Sequence, residues 1–186
     1  VINAGDGRHE HPTQALLDVY TARRHLGDDL SGARIAIVGD IRRSRVARST
    51  AKAFAQMGAK VTLVAPPTML PDSLAGWPVT ATSDFDEILS DVDLVYLLRI
   101  QHERQDSIAF PSLREYVSRY GLTNDRATRL GPEVLIMHPG PMNRGVEISP
   151  EVAESDASII TEQVENGVAV RMAVLYLLLG SGAPVA

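Results

Sequence analysis

Arginine side chains follow three separate apolar runs of this sequence, at points where buried strands are expected to end. The three segments are Gly39 to Arg45, Arg99 to Arg104 and His138 to Arg144, and between them they also carry histidine and glutamine. A planar guanidinium group grips a carboxylate or a phosphate through paired hydrogen bonds. If the three segments meet at one edge of a sheet, their residue types predict a pocket for an anionic ligand.

A second interpretation of the arginines is that they reflect only the base composition of the genome. Lys52 and Lys60 are the only lysines among 18 basic residues, so arginine supplies the other 16. We expect Arg42, Arg43 and Arg48 to face solvent. The net charge of −5 and the pI near 5.5 disfavour nucleic-acid binding.

The elements that would position these residues alternate between strand and helix along the chain. This alternation predicts an α/β fold with a Rossmann-like, doubly wound parallel sheet and helices on both faces. Ligands of such sheets bind beyond the carboxyl ends of the strands. The predicted strands are 33–38, 60–65, 78–82, 94–98 and 134–137, and the predicted helices are 12–26, 45–57, 84–89, about 111–119 and 164–179.

The first predicted helix begins with Pro12 and is stopped by Gly27. Its helical periodicity indicates an apolar stripe that faces the core, with two further apolar residues beside it. The stripe is Ala15, Val19, Ala22 and Leu26, flanked by Leu16 and Tyr20.

The last predicted helix is apolar on every side from Met172 to Leu179. Such a helix must be buried on every face, either by a partner domain or subunit or as an internal core helix of this domain. The apolar start, Val1 to Gly5, is typical of the end of a strand. The expectation from both ends is a piece of a larger protein, forming one domain over residues 1–186.

Several classes of site are excluded by what the sequence lacks. With no cysteine, there is no thiol nucleophile, thiolate metal site or disulfide. Bulky arginines occupy the turn after Gly39, where a dinucleotide fingerprint needs glycines. His9 and His11 have no third ligand nearby, so no metal is expected. No apolar run reaches the length of a membrane span, and no signal peptide is recognisable, which favours a cytoplasmic location.

Four motifs, in the same order and at matching spacing, resemble those of the second, aspartate-binding domain of aspartate carbamoyltransferase. The resemblance covers nearly the whole chain, and the combination is highly specific. The motifs are Asn3-Ala4-Gly5-Asp6-Gly7 with His11-Pro12-Thr13-Gln14, Val38-Gly39-Asp40 with Ser44-Arg45, Leu98-Arg99-Ile100-Gln101-His102-Glu103-Arg104, and His138-Pro139-Gly140-Pro141 with Met142 to Gly145.

The resemblance implies transfer of a carbamoyl group from carbamoyl phosphate to L-aspartate, a step of pyrimidine synthesis that gives N-carbamoyl-L-aspartate and phosphate. No cofactor is implied, because carbamoyl phosphate is already activated. The family's phosphate-binding Ser-x-Arg-Thr segment belongs to an amino-terminal domain that has no counterpart here. The chain is therefore expected to be inactive alone, to pack helix 164–180 on that domain, and to form a homotrimer in the full-length protein.

The same resemblance implies roles for individual residues. His11 would polarise the carbamoyl carbonyl, as a neutral imidazole if the helix that it precedes disfavours the charged form. The alternatives are that His11 caps the helix and that Gln14 completes a capping box. Gln14, Gly140 and Pro141 would contact the carbamoyl group, and the resemblance implies a cis peptide before Pro141. Arg45, Arg99 and Gln101 would bind aspartate. Arg104 would act in domain closure, and His138 would shape its turn.

Two other functions stay open at this point. One is a non-catalytic, anion-binding Rossmann-like module. The other is a carbamoyltransferase for a different amine, although the ornithine enzymes of the family carry a cysteine at the position of Thr13 and another in the His-Pro-Gly-Pro region. Neither cysteine occurs here.

Overall fold

Five parallel strands form one sheet in the order β3-β2-β1-β4-β5. The computed structural model describes residues 1–7, 9–100 and 112–180. The order reverses between β1 and β4, so the chain winds outward in both directions from the centre of the sheet. The strands are β1 (Arg34–Val38), β2 (Lys60–Val64), β3 (Val79–Thr82), β4 (Leu94–Leu97) and β5 (Leu135–Met137).

The sheet and its helices form the predicted doubly wound, Rossmann-like α/β fold. The central strands are buried on both faces, which explains their continuous apolar sequence. Helices α1, α2 and α6 pack against one another in one layer. The helices are α1 (Pro12–Leu26), α2 (Arg45–Gln56), α3 (Leu113–Tyr120), α4 (Asn124–Ala127), α5 (Pro150–Ala153) and α6 (Ile160–Leu175), the last continued by a π turn, Tyr176–Gly180.

The helix predicted over residues 84–89 is wrong. This segment forms turns that end in a single 3-10 turn, Leu89–Asp91. The Asp84 carboxylate accepts hydrogen bonds from the backbone N–H groups of Asp86 and Glu87, as the side chain of a helix cap does, but no α-helix follows it. Phe85 and Leu89 still enter the core, so the apolar pattern was read correctly but its geometry was not.

The predicted stripe of α1 does face the core, with Ala15 and Ala22 buried and Val19 and Leu26 packed against it, but the buried face also includes residues outside the stripe. Leu16 and Tyr20 are exposed, while the polar residues Gln14, Asp18 and Thr21 are buried. The prediction counted apolar residues only, whereas this face is buried against polar groups of α2, β4 and α6. A hydrogen-bonded polar face can be buried as completely as an apolar one.

Helix α6 is not an internal core helix. Eight large apolar side chains of α6 and the following π turn retain between 48% and 71% of their surface exposed, whereas Ile160 at the start of the helix is buried. Among the described residues, no helix is both long and apolar enough to cross a bilayer. The exposed set, here called the α6 apolar face, is Val164, Val168, Met172, Leu175, Tyr176, Leu177, Leu178 and Leu179.

Candidate anion-binding site

A small cavity of about 220 Å³ lies beyond the carboxyl ends of β1, β4 and β5. It is lined by residues from four separate segments: the start of α1, the loop from β1 into α2, the exit of β4 and the turn after β5. The lining residues are His11, Gln14, Arg43, Ser44, Arg45, Val46, Leu98, Arg99, Pro139, Gly140 and Pro141. The cavity thus lies at the point where strand order reverses, where such sheets bind ligands.

Close contact between two strand ends brings two of these segments together. Gly39, directly after β1, has a φ of +132°, and a Cβ there would lie 3.0 Å from the Leu98 carbonyl oxygen. Only glycine fits both the backbone angle and the space. Arg99 follows Leu98, so this contact sets the distance between the loop that carries Arg45 and the segment that carries Arg99.

His11 is the N-cap residue of α1, but its side chain caps nothing. Its backbone N–H donates to Ser49 Oγ at 2.9 Å, and Ser49 also hydrogen-bonds Glu10. The imidazole Nδ1 is buried and has no hydrogen-bond partner among the described residues. The interpretation of the imidazole as a helix cap is therefore wrong. The hydrogen bond from the backbone N–H of His11 to Ser49 fixes the residue at the cavity.

The electrostatic environment of His11 favours the neutral imidazole. Burial, and then the nearby Arg45 and Arg171 guanidinium groups, lower the pKa of His11 below its ordinary value of 6.5. The sequence analysis attributed neutrality to the helix start. The structure instead gives desolvation and two positive charges as the causes.

Gln14 does not complete a capping box. Its Nε2 donates to Asp18 Oδ1 at 2.9 Å, and its Oε1 accepts from Arg171 Nη2 at 3.3 Å. Asp18 is completely buried, and it also accepts hydrogen bonds from Thr50, Tyr96 and Gln163. Burial raises the pKa of Asp18 to about 6, although its four hydrogen bonds act to lower it.

Arg45 is the first residue of α2, which Ser44 caps by accepting a hydrogen bond from Ala47 N. Its guanidinium group lies against Gly5, where a Cβ would come within 2.8 Å of Nη1. Arg45 forms no ion pair with any carboxylate in the described ranges of the chain. A guanidinium group that lines a cavity and lacks an internal carboxylate is suited to bind an anion.

Buried Glu147 ties the segment that carries Arg99 to the turn after β5. Its carboxylate accepts from Ile100 N at 2.7 Å and from Asn143 N and Nδ2, both at 2.8 Å. Asn143 Nδ2 also donates to the Ile100 carbonyl oxygen. Two lining segments that are 40 residues apart in the sequence are therefore fixed to each other by one carboxylate.

His138 shapes the turn after β5. Its Nδ1 accepts from Gly140 N at 2.9 Å, and its own N–H donates to Gln163 Oε1 at 3.0 Å. The Gly140–Pro141 peptide is cis, as predicted. Burial, and then the Arg99 charge, lower the pKa of His138 to about 4. The ring is neutral at pH 7, and its place inside the turn fits the structural role expected from the sequence.

Of the three arginines that were expected to face solvent, Arg42 does so, whereas Arg43 and Arg48 are only partly exposed. Arg43 lines the cavity, is largely buried, and contacts the buried Asp40 carboxylate at 3.3 Å. Arg42 is exposed and pairs with Asp72, and Arg48 stacks over the Trp77 ring.

The sequence analysis missed Asp18, Gln163 and Arg171. Asp18 could have been noticed as a single carboxylate inside the apolar run of the first helix. Arg171 could have been noticed as a single cation in the apolar last helix. Gln163 carries no such signal.

Two predicted site residues, Gln101 and Arg104, lie outside the described residues. The other six, His11, Gln14, Arg45, Arg99, Gly140 and Pro141, line the same cavity. Within the described ranges, no group of three or more histidine, aspartate or glutamate side chains could hold a metal ion.

The fold and the cavity define a doubly wound α/β domain with an arginine-lined pocket at its switch point. Residues 31–178 match the model of the aspartate/ornithine carbamoyltransferase family, Asp/Orn binding domain. The chain belongs to this family.

Similar proteins cover nearly the whole chain. The aspartate carbamoyltransferase catalytic subunits of Thermobifida fusca and Acidothermus cellulolyticus are 62% and 59% identical over 97% and 99% of it. The crystal structure of aspartate transcarbamoylase from Trypanosoma cruzi with N-(phosphonacetyl)-L-aspartic acid superposes with a TM-score of 0.82 at 31% identity, over 94% of this chain. The chain spans 57% of the length of each of these three proteins.

The buried His138 predicts a specific loss of stability in acid. Since its folded pKa is about 4 and its ordinary value is 6.5, only the unfolded chain binds a proton between these values. The free energy of unfolding should therefore fall as the pH drops from 6.5 to 4, by about 3 kcal/mol from this residue. His138→Asn keeps an acceptor for Gly140 N but does not titrate, so its stability should lack this component.

Urea unfolding of both proteins at several pH values measures the difference, which also cancels the opposite contribution of Asp18. His9→Asn, at an exposed surface histidine, is the control. Parallel pH profiles for the parent and His138→Asn would contradict the prediction.

Proposed function

We propose that this chain is the aspartate-binding domain of an aspartate carbamoyltransferase. In the reaction the amine of L-aspartate attacks the carbamoyl carbon of carbamoyl phosphate. The C–N bond of N-carbamoyl-L-aspartate forms, the C–O bond to phosphate breaks, and the amine loses a proton. The observation that carries the proposal is one cavity that joins a neutral imidazole, an oriented amide and guanidinium groups from two strand ends.

The two substrates make different demands on this cavity. L-Aspartate carries two carboxylates, and Arg45 and Arg99 approach the cavity from the loops after β1 and β4. Two guanidinium groups on separate loops can bind two carboxylates at a fixed separation, which favours a dicarboxylic amino acid. Gln101, in the same segment as Arg99, is proposed as a further aspartate contact, and Arg104 as a residue of domain closure.

The carbamoyl group requires donors and acceptors at different atoms. Neutral His11 can donate one N–H to the carbamoyl oxygen, on which negative charge develops as the amine attacks. The carbamoyl NH2 can donate to Gln14 Oε1 and to the carbonyl oxygens of the Gly140–Pro141 turn. These roles require no cofactor, because the phosphate of carbamoyl phosphate is the leaving group and the reaction is a matter of placing two anions together.

The phosphate itself needs residues that this chain does not supply. The sequence contains no Ser-x-Arg-Thr segment, and the chain spans 57% of the length of its relatives. We therefore propose that a carbamoyl-phosphate domain completes the site, and that it covers the α6 apolar face. The homotrimeric state implied by the resemblance and the cytoplasmic location favoured by the sequence stay predictions.

Joining the chain to a phosphate-binding domain tests this function. A chimera would combine this chain with the part of the Thermobifida fusca subunit that it does not match. We expect carbamoylaspartate production by the chimera and none by the 186-residue chain. A colorimetric ureido assay measures the product.

The amine that accepts the carbamoyl group identifies the substrate class. L-Ornithine replaces L-aspartate in a parallel assay, and we expect no carbamoylation of it. Preference for ornithine would support a carbamoyltransferase for another amine. A folded, inactive chimera would support a non-catalytic anion-binding module instead.

Two variants of the active chimera separate the proposed roles. Arg99→Ala removes a guanidinium group that is proposed to bind a carboxylate of aspartate, and it should raise the KM for aspartate by about tenfold or more. His11→Ala removes the donor to the carbamoyl oxygen and should lower kcat by tenfold or more. Arg42→Ala, which removes an exposed arginine paired with Asp72, is the control and should change neither value. Normal aspartate saturation in Arg99→Ala would contradict its assignment.

The α6 apolar face gives a separate prediction about assembly. Met172 is largely exposed in the chain, so Met172→Glu should leave the stability of the chain alone nearly unchanged. In the chimera the new carboxylate would be buried at the domain contact, and the melting temperature and activity should both fall. Ser90→Glu, at the amino end of β4, adds the same charge elsewhere and serves as control. Equal behaviour of the two variants in the chimera would rule out this contact.

A further inference from the structure

The four hydrogen bonds to Asp18 divide evenly between its two carboxylate oxygens. Oδ2 accepts from Thr50 Oγ1 at 2.8 Å and from the Tyr96 hydroxyl at 2.7 Å. Oδ1 accepts from two glutamine amides, Gln14 Nε2 at 2.9 Å and Gln163 Nε2 at 2.7 Å. All five side chains are buried. The two oxygens therefore contact different parts of the molecule, since Oδ1 holds Gln163 and Gln14, and Gln14 lines the cavity.

A carboxylate oxygen can only accept hydrogen bonds, whereas a glutamine amide has one donating and one accepting end. Each glutamine must therefore turn its NH2 group toward Oδ1 and its carbonyl oxygen away from it. A reversed amide would place two oxygen atoms in contact in a buried site and leave an NH2 group without an acceptor. Such an arrangement costs more than the hydrogen bond itself contributes.

The outward oxygens of the two glutamines meet two different parts of the candidate site. Gln14 Oε1 lies where Arg171 Nη2 can donate to it at 3.3 Å, and Gln14 lines the cavity. Gln163 Oε1 accepts from His138 N at 3.0 Å. His138 in turn accepts from Gly140 N, so the second amide supports the turn that carries Gly140 and Pro141.

We propose that Asp18 is a positioning residue whose Oδ1 orients both glutamine amides, so that the site presents hydrogen-bond acceptors to an NH2 group of the substrate. This inference rests on the proposed function, in which the carbamoyl group supplies that NH2. Gln14 Oε1 faces the group from α1, and the carbonyl oxygens of the His138–Pro141 turn face it from β5. Asp18 itself touches no substrate and acts only through the two glutamines.

Side-chain hydrogen exchange tests the orientation without any assay of activity. In the 15N-labelled chain, the NH2 protons of Gln14 and Gln163 should exchange at least about a hundredfold more slowly than those of Gln56, whose side chain makes no hydrogen bond within the described ranges. Exchange of either amide at the Gln56 rate would overturn the proposal. This measurement needs no variant, so it remains decisive even where Asp18→Leu does not fold.

A kinetic cycle in the active chimera tests the consequence. Asp18→Leu removes both acceptor oxygens at similar size, so that neither glutamine amide is held in one orientation, and it should lower kcat/KM for carbamoyl phosphate by about tenfold. Gln14→Ala should cause a similar loss. If Asp18 acts through Gln14, the double variant should lose much less than the product of the two single losses. Multiplicative losses, or a rate for Asp18→Leu within twofold of the parent, would contradict the inference.

Tyr96→Phe is the matched control, because it removes one donor from Oδ2 and leaves Oδ1 and both amides in place. We expect it to lower the melting temperature while kcat/KM stays within threefold of the parent. A Tyr96→Phe loss as large as that of Asp18→Leu would mean that Asp18 acts only through stability, and would overturn the proposal. An inactive parent chimera would count against the proposed function, whereas the exchange measurement would still decide the orientation.

Discussion

A single carboxylate in the interior holds the layers of this domain in register. Asp18 on α1 accepts hydrogen bonds from α2, β4 and α6 and from its own helix. A buried charge is tolerated only where several donors replace the water that it loses, and removal of any one donor leaves the others holding an under-coordinated anion. The site depends on this contact, because Gln14 and the turn after β5 are both attached to it.

The cavity near Asp18 is lined by positively charged guanidinium groups and by a neutral imidazole. Arg43, Arg45 and Arg99 line it, and Arg171 contacts Gln14 at its edge. Burial, and then the Arg45 and Arg171 guanidinium groups, disfavour a proton on His11 and lower its pKa. Arg45, which is proposed to bind a carboxylate of the substrate, therefore also helps to keep the imidazole a neutral hydrogen-bond donor.

Much of the fold followed from local pattern. The helix at residues 12–26 has the predicted bounds, since Pro12 and Gly27 mark its ends chemically. The strands at 34–38 and 60–64 were found to within one residue, because a short β-branched run between turns has few alternatives. The prediction for segment 84–89 failed because its apolar spacing fits a helix and a series of turns equally well.

The sequence by itself determined which residue types gather at the candidate site, and the six predicted residues that the structure describes do line one cavity. It also determined the fold class, because alternating strands and helices admit few arrangements. Only the tertiary structure decided the role of Asp18, the burial of Arg43, the contact between Arg171 and Gln14, and the exposure of the α6 apolar face. These depend on contacts between residues up to 157 positions apart, which no local periodicity encodes.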